Sequence, residues 1–190
     1  MNMLIAGLIL FLGVHSIAIV APDFRERARR RLGEGAWNGL YGILSLVGFV
    51  LIVHGFALSR AAPTVLYTPP TWLRYITFLL MLPVFPLLFA AYLPGKINTA
   101  VKHPLLAAVK LWAFAHLLSN GHAADSLLFG GFLAWAVVDR ISLKRRPRPA
   151  PRTAAPGRWN DAIAVLLGLA TYALVLLWAH SRLFGISPLA

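Results

Sequence analysis

Long apolar runs separated by short basic or proline-containing stretches dominate this chain. A helix that crosses a bilayer needs roughly 20 mainly apolar residues. Six stretches approach that length, at residues 3–21, 36–58, 72–93, 104–120, 123–140 and 160–181. The pattern therefore predicts an all-α fold, a bundle of about six transmembrane helices forming a single integral membrane domain over residues 1–190.

The composition supports a lipid bilayer as the surroundings of the chain. Hydrophobic residues make up 59% of the 190 residues and charged residues 13%, whereas a soluble domain carries about 25% charged residues. No cysteine is present, which excludes disulfides, iron–sulfur clusters and thiolate ligation of a metal.

Positive charge is concentrated between the apolar segments. The formal net charge is +12, with five arginines in residues 25–31 and seven basic residues in residues 140–158. Basic loops mark the cytoplasmic side of a membrane protein, so we interpret these clusters as topology signals in loops and not as a nucleic-acid surface. The charge distribution predicts a multi-pass membrane protein with its N-terminus outside.

Two histidines inside apolar segments are the leading candidates for chemistry. His15 lies in the first segment, and His116 lies in the fourth, four residues after Trp112 and on the same helical face. An ionisable residue at membrane depth is costly and indicates a functional site. Paired imidazoles can hold a haem iron, although either residue alone could equally bind a carbonyl group of a neighbouring helix.

Three further residues are candidates for cofactor binding. His54 lies near the outer end of the second segment, at a depth close to that of His116, and could replace His15 as a ligand. His103 precedes Pro104, a residue suited to the first turn of a helix, and could bind a propionate or a phosphate. Lys110 could extend toward the membrane surface or pair with a propionate.

Acidic residues are few and lie only at the ends of the predicted helices. They are Asp23, Glu26, Glu34, Asp125, Asp139 and Asp161. No carboxylate pair, serine–histidine–acid set or phosphate-binding loop is visible. The sequence therefore argues against a hydrolase that uses a buried acid and against a metal transporter with carboxylates in the membrane.

Three stretches resemble the NnrU family, small membrane proteins associated with denitrification genes, and the related plant zeta-carotene isomerase. They are GLILFLGVHS from Gly7 to Ser16, the LGE-plus-apolar segment from Leu32 to His54, and KHPLLAAVKLWAFAHLLSNG at residues 102–121. The resemblance implies a haem b protein in which His15 and His116 are the axial ligands of the iron. It also implies a place in the bacterial inner membrane, a redox or nitric-oxide-related role, isomerase-like activity, and nitric oxide or an apolar small molecule as a partner.

This chain departs from the isomerase at two positions. The isomerase carries a cysteine three residues before its second ligand, which allows a redox-linked change of ligand. Ala113 occupies that position here, so such a change is not available. The residue before the His-Pro pair, usually arginine, is Lys102, which cannot form the bidentate contacts of a guanidinium group.

Two other functions remain open from the sequence. A His-Pro pair that opens a helix also resembles membrane methyltransferases related to isoprenylcysteine methyltransferase, but the C-terminal stretch HSRLFGISPLA contains Arg182 and no acid. The chain could instead be a non-catalytic assembly factor for a respiratory complex, in which the histidines only connect helices. An absorption spectrum would separate these functions from haem binding.

Overall fold

The computed structural model describes residues 1–145 and 153–189. Residues 146–152, which carry part of the predicted basic linker, and Ala190 lie outside the described residues. Within the described ranges the regular secondary structure is helical. The only β-type pairing there is one isolated antiparallel bridge between Val65 and His122. The prediction of an all-α fold is confirmed.

The described part of the chain forms ten α-helices. They are α1 (Asn2–Val20), α2 (Pro22–Leu32), α3 (Glu34–Ser59), α4 (Leu73–Met81), α5 (Val84–Ala90), α6 (Lys96–Val101), α7 (Pro104–Ser119), α8 (Ala123–Ser142), α9 (Asn160–Leu174) and α10 (His180–Phe184). A π-helical turn over Val175–Ala179 joins α9 to α10 without interrupting the helical rod.

Several helices have the length and composition of membrane spans. Among the described residues, four qualify: Asn2–Val20, Glu34–Ser59, Leu73–Ala90 and Asn160–Phe184. The apolar helix Pro104–Ser119 is shorter, and α8 carries Asp125, Asp139 and Arg140 among its 20 residues. The chain is thus an all-α membrane protein, and the number of six crossings stays a prediction.

The helices group into two compact units. Unit 1 comprises Met1–Thr68 and Asn120–Lys144, and therefore holds α1, α2, α3 and α8. Unit 2 comprises Pro69–Ser119 and the C-terminal part of the chain from Arg145, and holds the remaining helices.

Close approach of α1 and α3 organises unit 1. A Cβ atom added to Gly7 would lie 2.6 Å from the backbone nitrogen of Ile52, and one added to Gly55 would overlap the backbone of Leu4. Small residues let membrane helices approach closely and gain van der Waals contact. The α1–α3 pair therefore depends on glycine at both positions.

The basic stretch after α1 is a helix, which corrects the expectation of a loop. Pro22 occupies the first turn of α2, and the helix ends at Gly33, whose φ is +83°. The Glu26 carboxylate accepts a hydrogen bond from Arg30 at 3.0 Å and lies 3.6 Å from Arg29. The Arg30 hydrogen bond and the charge of Arg29 lower the pKa of Glu26, so this carboxylate stays ionised.

Unit 2 is built around an interrupted third segment. The helix ends at Met81 and a new helix begins at Val84, with Pro83 between them. The single proton of the Thr77 hydroxyl is shared between two carbonyl oxygens, that of Ala115 at 2.9 Å and that of Leu73 at 3.2 Å. These bonds satisfy the hydroxyl inside an apolar unit, where an unpaired polar group would be costly.

The start of α9 binds the segment that leads into α6. Asp161 accepts hydrogen bonds from the backbone N–H groups of Lys96 at 2.8 Å and Ile97 at 3.0 Å. The Asn160 amide donates to the carbonyl of Pro94 at 2.9 Å. Two residues at one helix end therefore fix a loop that lies about 65 positions earlier in the chain.

Replacement of Asp161 by alanine should loosen this loop locally. Hydrogen bonds to a charged group contribute about 1.5–3 kcal/mol each, so the amides of Lys96 and Ile97 should lose most of their protection against hydrogen exchange. Hydrogen-exchange mass spectrometry in detergent micelles would measure the change. Amides of α3 in unit 1 serve as the internal control, and equal loss of protection there would show general unfolding instead of a local effect.

Candidate functional site

His15 is held by its own helix in unit 1. Its Nδ1 atom lies 2.7 Å from the carbonyl oxygen of Phe11, and the imidazole stacks on the Phe11 ring with 4.2 Å between centroids. A carbonyl oxygen only accepts, so Nδ1 carries the proton. In the neutral ring, Nε2 then holds the lone pair that a metal requires.

Aromatic residues from two other helices surround His15. The ring of Tyr41 on α3 lies 5.2 Å from the imidazole, and that of Trp135 on α8 lies 6.0 Å away in an edge-on arrangement. The indole N–H of Trp135 is buried and has no hydrogen-bond partner among the described residues. Tyr41 and Trp135 could not be predicted as neighbours of His15, because nothing in their local sequence signals a contact with α1.

His116 has the same local geometry in unit 2. Its Nδ1 atom lies 2.8 Å from the carbonyl oxygen of Trp112, and the two rings are 5.6 Å apart at their centroids. Trp112 in turn packs against the buried core residues Val84, Leu87 and Ala108. The predicted shared face of Trp112 and His116 is therefore present, and α7 fixes the imidazole in the tautomer whose Nε2 bears the lone pair.

An aromatic residue four positions before the histidine is common to both sites. In each case its carbonyl binds Nδ1 and its ring contacts the imidazole. Second-sphere bonds of this kind orient histidine ligands and fix their tautomer in metal sites. Both histidines are half-buried, so neither is sealed inside its unit.

The other candidates lie at three separate positions. His54 is exposed on α3 in unit 1, and Lys110 is half-buried on α7 in unit 2. His103 follows Lys102, whose φ of 63° and ψ of −37° form a γ-turn closed by a 2.7 Å bond from the His103 N–H to the Val101 carbonyl. This strained turn directs the chain into α7.

His122 has a structural role at the start of α8. Its side chain is 48% exposed. Its Nδ1 atom nevertheless lies 3.1 Å from the buried Asp125 carboxylate, which also accepts the His122 backbone N–H. This capping box satisfies the N-terminus of α8.

No group of three or more histidine and acidic side chains that could hold a bare metal ion occurs in residues 1–145 and 153–189. A haem iron needs only one or two protein ligands, because the porphyrin supplies the other four donors.

The helices define an all-α membrane protein, and His15 and His116 lie on two of its apolar helices. The model of the NnrU family, described as NnrU protein, matches residues 3–188. The chain therefore belongs to the NnrU family. No match was found among curated proteins or among solved structures.

Proposed function

We propose that this protein binds haem b and that His15 and His116 supply the two axial imidazoles. The observation that carries the proposal is the common geometry of these residues. In both, a bond from Nδ1 to the carbonyl four residues earlier assigns the lone pair to Nε2, which is the tautomer that ligates iron.

The surroundings of each histidine also fit a porphyrin. Phe11, Tyr41 and Trp135 place aromatic rings within about 6 Å of His15, and Trp112 does the same beside His116. Flat apolar rings favour stacked or edge-on aromatic neighbours. In addition, the unpartnered indole N–H of Trp135 is a donor that a cofactor could satisfy.

Bound haem would supply one-electron redox chemistry. Two imidazole ligands leave no coordination position open, which favours electron transfer or redox sensing over catalysis at the iron. We therefore propose a redox or nitric-oxide-related role linked to denitrification, in keeping with the family. The residues at hand give less support to isomerase activity, since Ala113 cannot provide the alternative thiolate ligand.

An absorption spectrum of the purified protein tests haem binding directly. We expect a Soret band and, in alkaline pyridine after reduction, the spectrum of haem b at about one haem per chain. A preparation that remains colourless after reconstitution with hemin would overturn the proposal and favour an assembly factor or a methyltransferase-like enzyme.

The spin state and gas reactivity of the haem form a further prediction. Two imidazoles should give six-coordinate low-spin iron in both oxidation states, and carbon monoxide or nitric oxide should bind the ferrous form slowly or partially, because one ligand bond must first break. Stopped-flow absorption would measure this. Rapid stoichiometric binding would reveal an open position and indicate gas sensing or catalysis.

We also propose that the chain is a multi-pass protein of the bacterial inner membrane. Because the natural chain has no cysteine, single variants Arg30→Cys, Thr153→Cys and Ser187→Cys can be labelled cleanly. A membrane-impermeant maleimide added to spheroplasts should label Ser187→Cys alone. Labelling of Arg30→Cys without Thr153→Cys, or of Thr153→Cys without Arg30→Cys, would put the two basic regions on opposite sides of the membrane and contradict the six-crossing topology.

A further inference from the structure

Helix α2 is an arginine-rich helix at the end of the first apolar segment. It follows α1 after a break at Ala21 and packs against both α1 and α3 within unit 1. None of its residues is buried. Since α1 and α3 have the length and composition of membrane spans, a helix joined to the ends of both lies at the level of the lipid headgroups.

One face of α2 is apolar and uncovered. Phe24, Ala28 and Leu32 are four residues apart, so they form a stripe along the helix. The side chains of Phe24 and Leu32 are each 53% exposed. Large apolar side chains on a helix with a strongly charged opposite face are typical of helices that lie in the plane of a membrane interface.

Arginines on the two sides of α2 differ in their partners. Arg27 and Arg31 are exposed and lie three residues after Phe24 and Ala28, beside the apolar stripe. Neither forms an ion pair with a described residue.

On the other side, carboxylates already neutralise part of the charge. Arg30 pairs with Glu26 at 3.0 Å, and Arg29 lies 3.6 Å from both Glu26 and Glu34. The two arginines that form no ion pair with a described residue, Arg27 and Arg31, therefore lie beside the apolar stripe, where lipid phosphate groups would contact them.

We propose that α2 binds the headgroups of anionic phospholipids, with Phe24 and Leu32 inserted below the phosphates and Arg27 and Arg31 bound to them. A guanidinium group can form two parallel hydrogen bonds with a phosphate. The apolar stripe holds the helix at a fixed depth, so these arginines meet lipid phosphates and not phosphate in solution. This binding surface is independent of the haem proposal.

Depth measurement tests the inserted stripe. Spin labels would be attached to the variants Phe24→Cys, Leu32→Cys and Arg30→Cys of the full chain in vesicles of phosphatidylcholine and phosphatidylglycerol. For the labels at Phe24→Cys and Leu32→Cys, we expect oxygen to cause more relaxation than a water-soluble nickel complex does. For the label at Arg30→Cys, we expect the nickel complex to cause the greater relaxation. Equal access of the nickel complex to all three would place α2 in water and overturn the proposal.

Charge-matched variants test the role of the arginines. The double variants Arg27→Gln/Arg31→Gln and Arg29→Gln/Arg30→Gln lose the same charge from opposite sides of α2. Native mass spectrometry of detergent-solubilised protein would give the apparent Kd for phosphatidylglycerol and for phosphatidylcholine.

We expect the first pair to weaken phosphatidylglycerol binding by about fivefold per arginine, while the second pair stays within about twofold of the natural protein. An equal loss in both pairs would show attraction by net charge alone, and no loss in either would exclude α2 as the binding surface. Both outcomes overturn the proposal.

Discussion

Haem binding should fall from about one haem per chain to less than about a tenth when His15 or His116 is replaced by alanine. Each substitution removes the Nε2 lone pair that we propose as an axial ligand. The iron then keeps only one axial imidazole, and stacking of side chains on the porphyrin cannot replace the lost bond. A five-coordinate iron would also change from low to high spin. Haem content by the pyridine assay and the position of the Soret band would measure both effects.

Two other histidines serve as controls. His122→Ala should leave the haem spectrum unchanged, because that imidazole caps α8 beside Asp125. His54→Ala should also retain haem. If His54→Ala loses haem while His15→Ala keeps a natural spectrum, the second ligand is His54, and the stacking of His15 on Phe11 is only packing.

Substitution at Gly55 should cause the largest loss of stability in unit 1. A methyl group there would overlap the backbone of Leu4, and a backbone cannot move aside as a flexible side chain can. Overpacking costs about 1–3 kcal/mol, so Gly55→Ala should lower the thermal midpoint measured by circular dichroism in detergent. Gly55→Leu should abolish the monodisperse folded peak in size-exclusion chromatography.

Gly42 provides a matched control in the same helix. A Cβ atom added there meets nothing within 4 Å, and alanine favours a helix over glycine by about 1 kcal/mol. Gly42→Ala should therefore leave the midpoint unchanged or raise it. If Gly55→Ala and Gly42→Ala behave alike, α1 and α3 do not approach as closely as described.

The helices could be predicted from the sequence wherever apolar runs were long. The interruption at Pro83 was also predictable, because proline removes a backbone donor and clashes with the preceding turn. Helix α2 was missed because its arginines were interpreted only as a topology signal. The four-residue spacing of Phe24, Ala28 and Leu32 was the available sign of a helix.

Only those contacts of the candidate site that lie within a single helix could be predicted from the sequence. His15 and His116 each follow an aromatic residue at a spacing of four, which the sequence shows directly. The contacts of His15 with Tyr41 and Trp135 depend on how α1, α3 and α8 pack. No single-sequence pattern encodes that packing, since these residues are 26 and 120 positions from His15 in the chain.

The attachment of Asp161 to the loop at Lys96 has a consequence for the synthesis of the protein. The chain leaves the ribosome from its N-terminus, so the N–H groups of Lys96 and Ile97 enter the membrane environment well before their acceptor, which follows 65 and 64 residues later. Until that carboxylate arrives, α6 lacks its fixed starting point. Unit 2 therefore completes its folding only after translation has passed α9, whereas every helix of unit 1 has been made by Lys144.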